Sequence, residues 1–199
     1  ALPIYENGGQ NESMRVYRLA IQIAEQKNAD MLIVQLAALL HDVDDAKLSP
    51  ETYASKRNAV NFMKGNGVDN EIIETVCKII EEVSFAGNDS VVPSTIEGKC
   101  VQDADRLDAI GAIGIARTFA YGGSKGRRIH DSNIKPMTNM NKADYIQNHN
   151  STSINHFYEK LLLLKDMMNT ETEKKMAMHR QAVMEDFLEE FMAEWEGEK

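Results

Sequence analysis

The segment Met31–Leu40 (MLIVQLAALL) places the strongest constraint on the fold, because only Gln35 in it is polar. It is far shorter than the roughly 20 apolar residues that a membrane-spanning helix needs. A helix that is apolar nearly all round is stable in water only when other elements cover every side of it. We therefore predict a helix from Met31 to about Asp42 at the centre of the domain, with Asp30 as its N-cap.

The rest of the chain also favours helices. The sequence has only four prolines, while Ala, Leu, Met, Glu and Lys, which are strong helix formers, are abundant. Apolar residues recur at helical spacing in most segments between turn signals. Further helices are predicted over roughly residues 13–27, 50–64, 69–83, 94–119, 151–168 and 170–195. The composition thus indicates an all-α fold.

A chain of 199 residues without an internal repeat or a low-complexity linker is predicted to form one domain over residues 1–199. Within it, residues 1–12 are expected to form a loose N-terminal arm and residues 121–139 a basic irregular loop. The C-terminal helices are expected to cover residues 151–197.

The formal net charge of −9 argues against a broad basic surface for nucleic-acid polymers or anionic membranes. No apolar run reaches transmembrane length, and no signal peptide is recognisable. Cys77 and Cys100 stand apart without a CxxC or Cys/His cluster, so we interpret them as core thiols rather than as a disulfide or a zinc site. We expect a cytoplasmic protein.

The apolar helix ends in His41-Asp42, which brings an imidazole and a carboxylate together. Both groups ligate borderline or hard divalent ions. The same dipeptide is equally compatible with a core histidine followed by a capping aspartate. Taken alone, the pair leaves the two interpretations open.

A second acidic element, VQDADRLDAIG over residues 101–111, contains Asp103, Asp105 and Asp108 within two helical turns. Apolar residues alternate with these aspartates, so at least one carboxylate is expected to point inward, where it needs a cation. The alternative is a solvated acidic face with Arg106 as a local partner.

Together, LAALLHD at residues 36–42 and ADRLDAIG at residues 104–111 resemble the motifs of the HD superfamily of metal-dependent phosphohydrolases. The similarity extends over nearly the whole chain from about residue 13. It implies a single-domain HD-type helical bundle with one divalent ion, sometimes two. The implied ligands are His41, Asp42 and Asp105, and the implied ion is Mn, Mg, Fe, Ni or Co.

The chain departs from the family pattern at the first ligand. Relatives have a histidine three positions before an Arg-Val pair, whereas Glu12 occupies that place before Arg15-Val16. Glu12 either joins the site through a carboxylate oxygen or points to solvent, and the sequence leaves both open. The resemblance further implies that Asp45 assists the attacking water, whereas Asp44 is expected to have only a turn role.

Basic residues near these motifs are candidates for phosphate binding by charge-assisted hydrogen bonds. They are Lys47, which follows the His41-Asp42 pair, and Lys125 and Arg128, which lie in the segment YGGSKGRRIHD over residues 121–131. A solvated loop is an equally good interpretation for each of them.

The sequence as a whole predicts a metal-dependent phosphohydrolase for a phosphate ester or anhydride of a small metabolite, with a nucleotide as first candidate. Because Glu12 replaces the usual histidine, a degenerate HD domain that binds a nucleotide or metal without turnover is the alternative. A third hypothesis is a purely structural helical interaction protein. Homo-oligomer formation is left open.

Overall fold

The computed structural model describes residues 9–44, 49–148 and 150–198, and all regular elements within these ranges are helices. The α-helices are α1 (Gly9–Lys27), α2 (Met31–Leu40), α3 (Pro50–Tyr53), α4 (Arg57–Gly65), α5 (Asn70–Val83), α6 (Ile96–Asp108), α7 (Gly111–Ser124), α8 (Lys142–Gln147), α9 (Ser153–Glu159) and α10 (Glu171–Glu196). A 3-10 helix covers Leu161–Met167. The all-α prediction is confirmed.

The contacts divide the chain into two compact units. Unit 1 comprises residues 1–85 and 91–105, and unit 2 comprises residues 86–90 and 106–199. The boundary falls inside α6, after Asp105. The predicted organisation as one domain over residues 1–199 stays a prediction.

In unit 1, α2 packs against α1 and α5, as its composition predicts. Val34, Ala37 and Leu40 are buried, and α1 and α5 contribute core residues such as Ala20 and Val76. The helix begins as predicted, because the Asp30 carboxylate accepts hydrogen bonds from the amides of the second and third helical residues. Burial of α2 therefore fixes the position at which its C-terminal end delivers His41.

In unit 2, the long helix α10 packs against α7 and the 3-10 helix. A chain of ring contacts joins α7, α9 and α10. The aromatic cluster consists of Phe119, Phe157, Phe187, Phe191 and Trp195. His130 meets the Trp195 ring edge to face, with 5.2 Å between ring centroids. Offset and edge-to-face pairs of this kind add to the stabilisation that burial provides.

Three predicted helices are interrupted. The one predicted over residues 151–168 changes at Lys160 from the α-helix α9 to the 3-10 helix Leu161–Met167. The helix predicted over residues 50–64 breaks at Lys56, whose φ of 47° is left-handed and ends the helical path. The helix predicted over residues 94–119 breaks between Asp108 and Gly111, and Gly111 has a φ of 77°. Periodicity continues across both breaks, so the apolar pattern alone predicts one helix where the chain forms two.

Other boundaries also differ from the prediction. The first helix begins at Gly9, inside the segment predicted as a loose arm. Helix α7 continues to Ser124, inside the segment predicted as irregular, and α8 was not predicted. Helix α6 is capped by Thr95, whose Oγ1 accepts a hydrogen bond from the Gly98 amide.

None of the helices in the described part of the chain is both long and apolar enough to cross a membrane.

Gly114 and Gly123 in α7 offer a matched test of how closely the start of α7 approaches the preceding turn. A Cβ at Gly114 would lie 2.2 Å from the carbonyl oxygen of Ala109, whereas a Cβ at Gly123 meets nothing within 4 Å. G114A should therefore lower the free energy of unfolding by about 1–3 kcal/mol through overpacking. G123A should leave it unchanged or raise it by up to about 1 kcal/mol, because alanine has the higher helix propensity. Urea unfolding monitored by circular dichroism measures both, and equal values would contradict the close approach.

Candidate functional site

The His41 side chain is buried at the C-terminal end of α2. Its Nδ1 lies 2.9 Å from the carbonyl oxygen of Ala38. A carbonyl can only accept a hydrogen bond, so Nδ1 carries the proton and donates it. In the neutral imidazole, Nε2 therefore keeps its lone pair and is the atom available to a cation.

Two carboxylates approach this nitrogen. The distance from Nε2 to Asp42 Oδ2 is 3.1 Å, and the distance from Nε2 to Asp105 Oδ1 is 3.7 Å. Nε2 is buried and forms no hydrogen bond of normal geometry within the described residues. The carboxylate side chains are 48% and 32% exposed, so they are open to solvent. We call His41, Asp42 and Asp105 the His41 group.

Two opposing effects act on the pKa of His41. Burial is the largest single influence and lowers it, but the negative charges of Asp42 and Asp105 and their contacts with the ring outweigh burial. The net result is that the pKa of His41 is raised well above its ordinary value. The local arrangement therefore favours a positive charge next to Nε2, and either a proton or a metal ion can supply that charge.

The donor set of the His41 group fits a divalent ion, because one imidazole nitrogen and two carboxylate oxygens suit Mn, Mg, Fe, Ni or Co. The buried Nε2 without a directed partner supports the same conclusion. The geometry is less complete than the donor set: within the described ranges, no group of three or more His, Cys, Asp and Glu side chains, the His41 group included, is arranged to hold a metal ion. His41 is close to Asp42 and, separately, to Asp105. A complete metal site needs these side chains to move closer together or a further ligand to join them.

The other two aspartates of the acidic element have separate surroundings. Asp103 is fully buried in unit 1. In unit 2, Asp108 is buried and accepts a hydrogen bond of 2.6 Å from Arg117 Nη1. The inward carboxylate predicted from the sequence thus has an arginine partner at this position, which sequence reasoning missed. Arg106, the predicted local partner, donates a hydrogen bond to the carbonyl of Met167.

Several predicted residues cannot be placed. Asp45 and Lys47 lie outside the described residues, and so does the side chain of Glu12, although its backbone belongs to α1. Their proposed roles stay predictions.

Asp44, which was expected to have only a turn role, is 4% exposed and makes long-range contacts. Its carboxylate oxygens accept hydrogen bonds from the backbone amides of Asn58 and Ala59 at the start of α4. No local sequence signal indicates this pairing, because 14 and 15 residues separate the partners.

Two of the three basic residues predicted to bind phosphate, Lys125 and Arg128, lie in unit 2. Lys125 follows the last residue of α7, and its Nζ lies 5.8 Å from the centroid of the half-exposed Tyr121 ring. Arg128 pairs with Asp131. The pKa of Asp131 is lowered, chiefly by the hydrogen bond that it accepts from the Asn133 amide and further by its pairing with Arg128. Lys125 is therefore the less engaged of the two predicted phosphate ligands.

Comparison with known proteins places this geometry in a family. The HD domain profile matches residues 11–110, a range that includes the whole His41 group. The uncharacterised protein YpgQ of Bacillus subtilis is 39% identical over 176 residues, which cover 87% of this chain and 78% of YpgQ.

Solved structures agree. A structure from Lactobacillus plantarum has a TM-score of 0.84 at 39% identity and covers 94% of this chain and 87% of that one. An HD-superfamily hydrolase from Bacillus thuringiensis has a TM-score of 0.70 at 43% identity, covering 94% and 86%. A structure of YpgQ in complex with ADP has a TM-score of 0.74 at 36% identity, covering 94% and 89%.

The resemblance inferred from LAALLHD and ADRLDAIG is thereby confirmed. The profile match, the identity to YpgQ and the structural agreement all lead to one conclusion: the chain belongs to the HD domain family.

Proposed function

We propose that this protein is a metal-dependent phosphohydrolase that cleaves a phosphate ester or anhydride of a small metabolite, with a nucleotide as the candidate substrate. The observation that carries the proposal is the buried His41 Nε2, which has two carboxylates within 4 Å and no directed hydrogen bond in the described residues. The lone pair of Nε2 and the two carboxylates are all acceptors, so a cation is needed between them. The family relationship favours a divalent metal ion as that cation.

In the proposed site, His41, Asp42 and Asp105 hold the ion, and Glu12 is the candidate for a further ligand. Bound there, a divalent ion would polarise a phosphoryl oxygen and make a nearby water easier to deprotonate. The chain's own contribution is to orient the ligands: Ala38 fixes the tautomer and the direction of the His41 ring. Asp45 is proposed to accept the proton of the attacking water.

A nucleotide is the proposed substrate because YpgQ has been crystallised with ADP. The acidic chain needs local positive charges to bind a polyphosphate, and Lys47, Lys125 and Arg128 are proposed to supply them.

Removal of His41 or Asp42 should abolish hydrolysis. Protein stripped with a chelator and reloaded with Mn, Mg, Fe, Ni or Co is assayed for phosphate release from nucleoside di- and triphosphates. Changing residues that only orient metal ligands typically costs 10- to 100-fold, so H41A and D42A should each lose on the order of 100-fold or more.

Matched controls are H179A and D186A, because both residues are exposed on α10 in unit 2. These variants should keep the wild-type rate. Full activity in H41A or D42A would contradict the assignment of the His41 group.

Metal affinity should increase with pH. The pKa of His41 is raised by the neighbouring carboxylates, so a proton on Nε2 competes with the ion and must leave when the ion binds. Mn²⁺ affinity should therefore tighten by up to about tenfold per pH unit below that pKa, since one proton is released. Isothermal titration at pH 6, 7 and 8 in buffers of different ionisation enthalpy measures both the affinity and the proton release.

Metal affinity should increase with pH, but the free energy of unfolding of the metal-free protein should decrease with pH. A raised pKa in the folded state stabilises the fold at pH values below the ordinary histidine pKa, and this contribution is lost as the pH rises through the raised value. Saturating Mn²⁺ should remove much of that loss. A metal-free stability that increases across this range in wild type but not in H41Q would contradict the assignment of the charge to His41.

Lys125 and Arg128 should affect substrate binding unequally. Arg128 is already paired with Asp131, whereas the ammonium group of Lys125 lies over the face of the Tyr121 ring. K125A should raise KM several-fold with little change in kcat if Lys125 contacts the substrate in the ground state and the transition state alike. R128A should have a smaller effect, and K174A, which removes an exposed partner of Glu171, should have none. Steady-state kinetics at saturating metal distinguishes these outcomes.

The alternative is a degenerate HD domain that binds a nucleotide or metal without turnover. It is favoured by one observation, the lack of a closed metal centre within the described residues. ADP that raises the Tm without any hydrolysis, whichever metal is added, would support this alternative. Failure to bind any divalent ion would instead support the purely structural protein.

A further inference from the structure

The turn that carries the metal-binding pair is held at its beginning by helix α2. His41 is the C-cap of that helix with helical dihedral angles, and the Val43 amide donates to the Leu40 carbonyl at 3.1 Å. The His41 ring is tied to Ala38 at 2.9 Å. These local contacts fix the first residue of the turn, but none of them holds its far end.

Asp44 holds the far end. Its Oδ2 accepts a hydrogen bond of 3.0 Å from the Ala59 amide, and its Oδ1 accepts one of 3.3 Å from the Asn58 amide. Asn58 and Ala59 are the second and third residues of α4, which are the positions that an N-cap side chain normally serves. A residue far away in the sequence thus performs the capping function for α4.

Helix α4 needs this external cap because its own N-cap residue supplies none. That residue is Lys56, which is left-handed and makes no side-chain cap. Its ammonium group bonds to Glu81 Oε1 at 2.8 Å instead. The Ala59 residue is fully buried, so water cannot satisfy its amide. Leaving such a donor without an acceptor costs about 1–3 kcal/mol.

Asp44 and helix α4 depend on each other, and this mutual dependence affects the position of His41 and Asp42. Asp44 stabilises α4, and α4 in turn fixes the backbone of Asp44, two residues after Asp42. A carboxylate at a helix N-terminus is also favoured by the partial positive charge there. The pair His41 and Asp42 is therefore held between α2 on one side and the start of α4 on the other.

We propose that Asp44 is a positioning residue for the metal-binding pair His41 and Asp42, acting through the backbone of the turn. The inference rests on the proposed function, because it presupposes that the pair binds a divalent ion. Asp44 itself is not a ligand in this proposal, since both of its oxygens are used by α4 amides. Its loss should let the turn shift and weaken the ion's binding, as happens when the orienting partners of metal ligands are removed.

The test compares D44A with D30A. Asp30 is the matched control because its carboxylate also accepts from two helix-start amides in unit 1, those of Leu32 and Ile33. It lies at the opposite end of the ten-residue helix α2, roughly 15 Å from His41 along the axis. Both variants should lose comparable stability in urea unfolding. Only D44A should weaken Mn²⁺ binding, by about tenfold or more, while D30A should stay within about twofold of wild type.

D44N is the second variant, for the case in which D44A does not fold. The carboxamide keeps the size of the side chain and one acceptor oxygen, but its NH₂ group cannot accept from an amide. We expect a smaller loss of Mn²⁺ affinity than in D44A. The ¹⁵N chemical shifts of the His41 ring, recorded without metal and assigned with H41Q, should also change in D44N and not in D30A.

The outcomes separate the two proposals. If wild-type protein binds no divalent ion, the proposed function fails and this inference fails with it. If wild type binds Mn²⁺ but D44A and D44N bind it as tightly as D30A does, the proposed function stands and the positioning role of Asp44 is overturned.

Discussion

The hydrogen bond from His41 Nδ1 to the Ala38 carbonyl is the contact on which the chemistry of this protein depends. It uses a carbonyl that the end of α2 would otherwise leave without a helical partner. At the same time it selects the tautomer of the ring and directs Nε2 at Asp42 and Asp105. One hydrogen bond therefore both satisfies a carbonyl at the end of α2 and orients Nε2 of His41 for binding a cation. It can do so because α2 packs against α1 and α5 and has its last residue, Leu40, in the core.

The same group shows why proton and metal are alternatives at this site. A buried imidazole beside two partly exposed carboxylates is a favourable place for one positive charge. Desolvation opposes that charge, but the carboxylates outweigh it. A protonated ring satisfies the carboxylates in the absence of metal, and a divalent ion would satisfy the ring and the carboxylates together. The negative charge of the two carboxylates is thus balanced in either state.

The features that were predicted correctly are those that a short stretch of sequence determines. The burial of α2 follows from its composition, and the Asp30 cap follows from a preference that acts over three residues. His41, Asp42 and Asp105 were grouped through the family resemblance, and both carboxylates lie within 4 Å of His41 Nε2. Their role as metal ligands stays a prediction. By contrast, the helix break at Lys56 leaves the apolar periodicity intact, so a sequence pattern does not show it.

Long-range partners were beyond prediction for a different reason. Arg117 and Asp108 meet across the break before α7, and Asp44 meets amides 14 and 15 residues away. In both cases an acidic residue was identified but its partner depends on how helices pack. A single sequence shows that a buried carboxylate needs a donor; it does not show which donor the fold supplies.

The aromatic cluster of unit 2 has a practical consequence for spectroscopy. Trp195 is the only tryptophan of the chain, and it stacks on Phe191 with 5.7 Å between ring centroids. Tryptophan emission therefore reports on the C-terminal part of α10 and its ring neighbours. The His41 group contains no such fluorophore. Occupancy of that group is better followed by a signal from the ion itself, such as the electron paramagnetic resonance of Mn²⁺ or the visible absorption of Co²⁺.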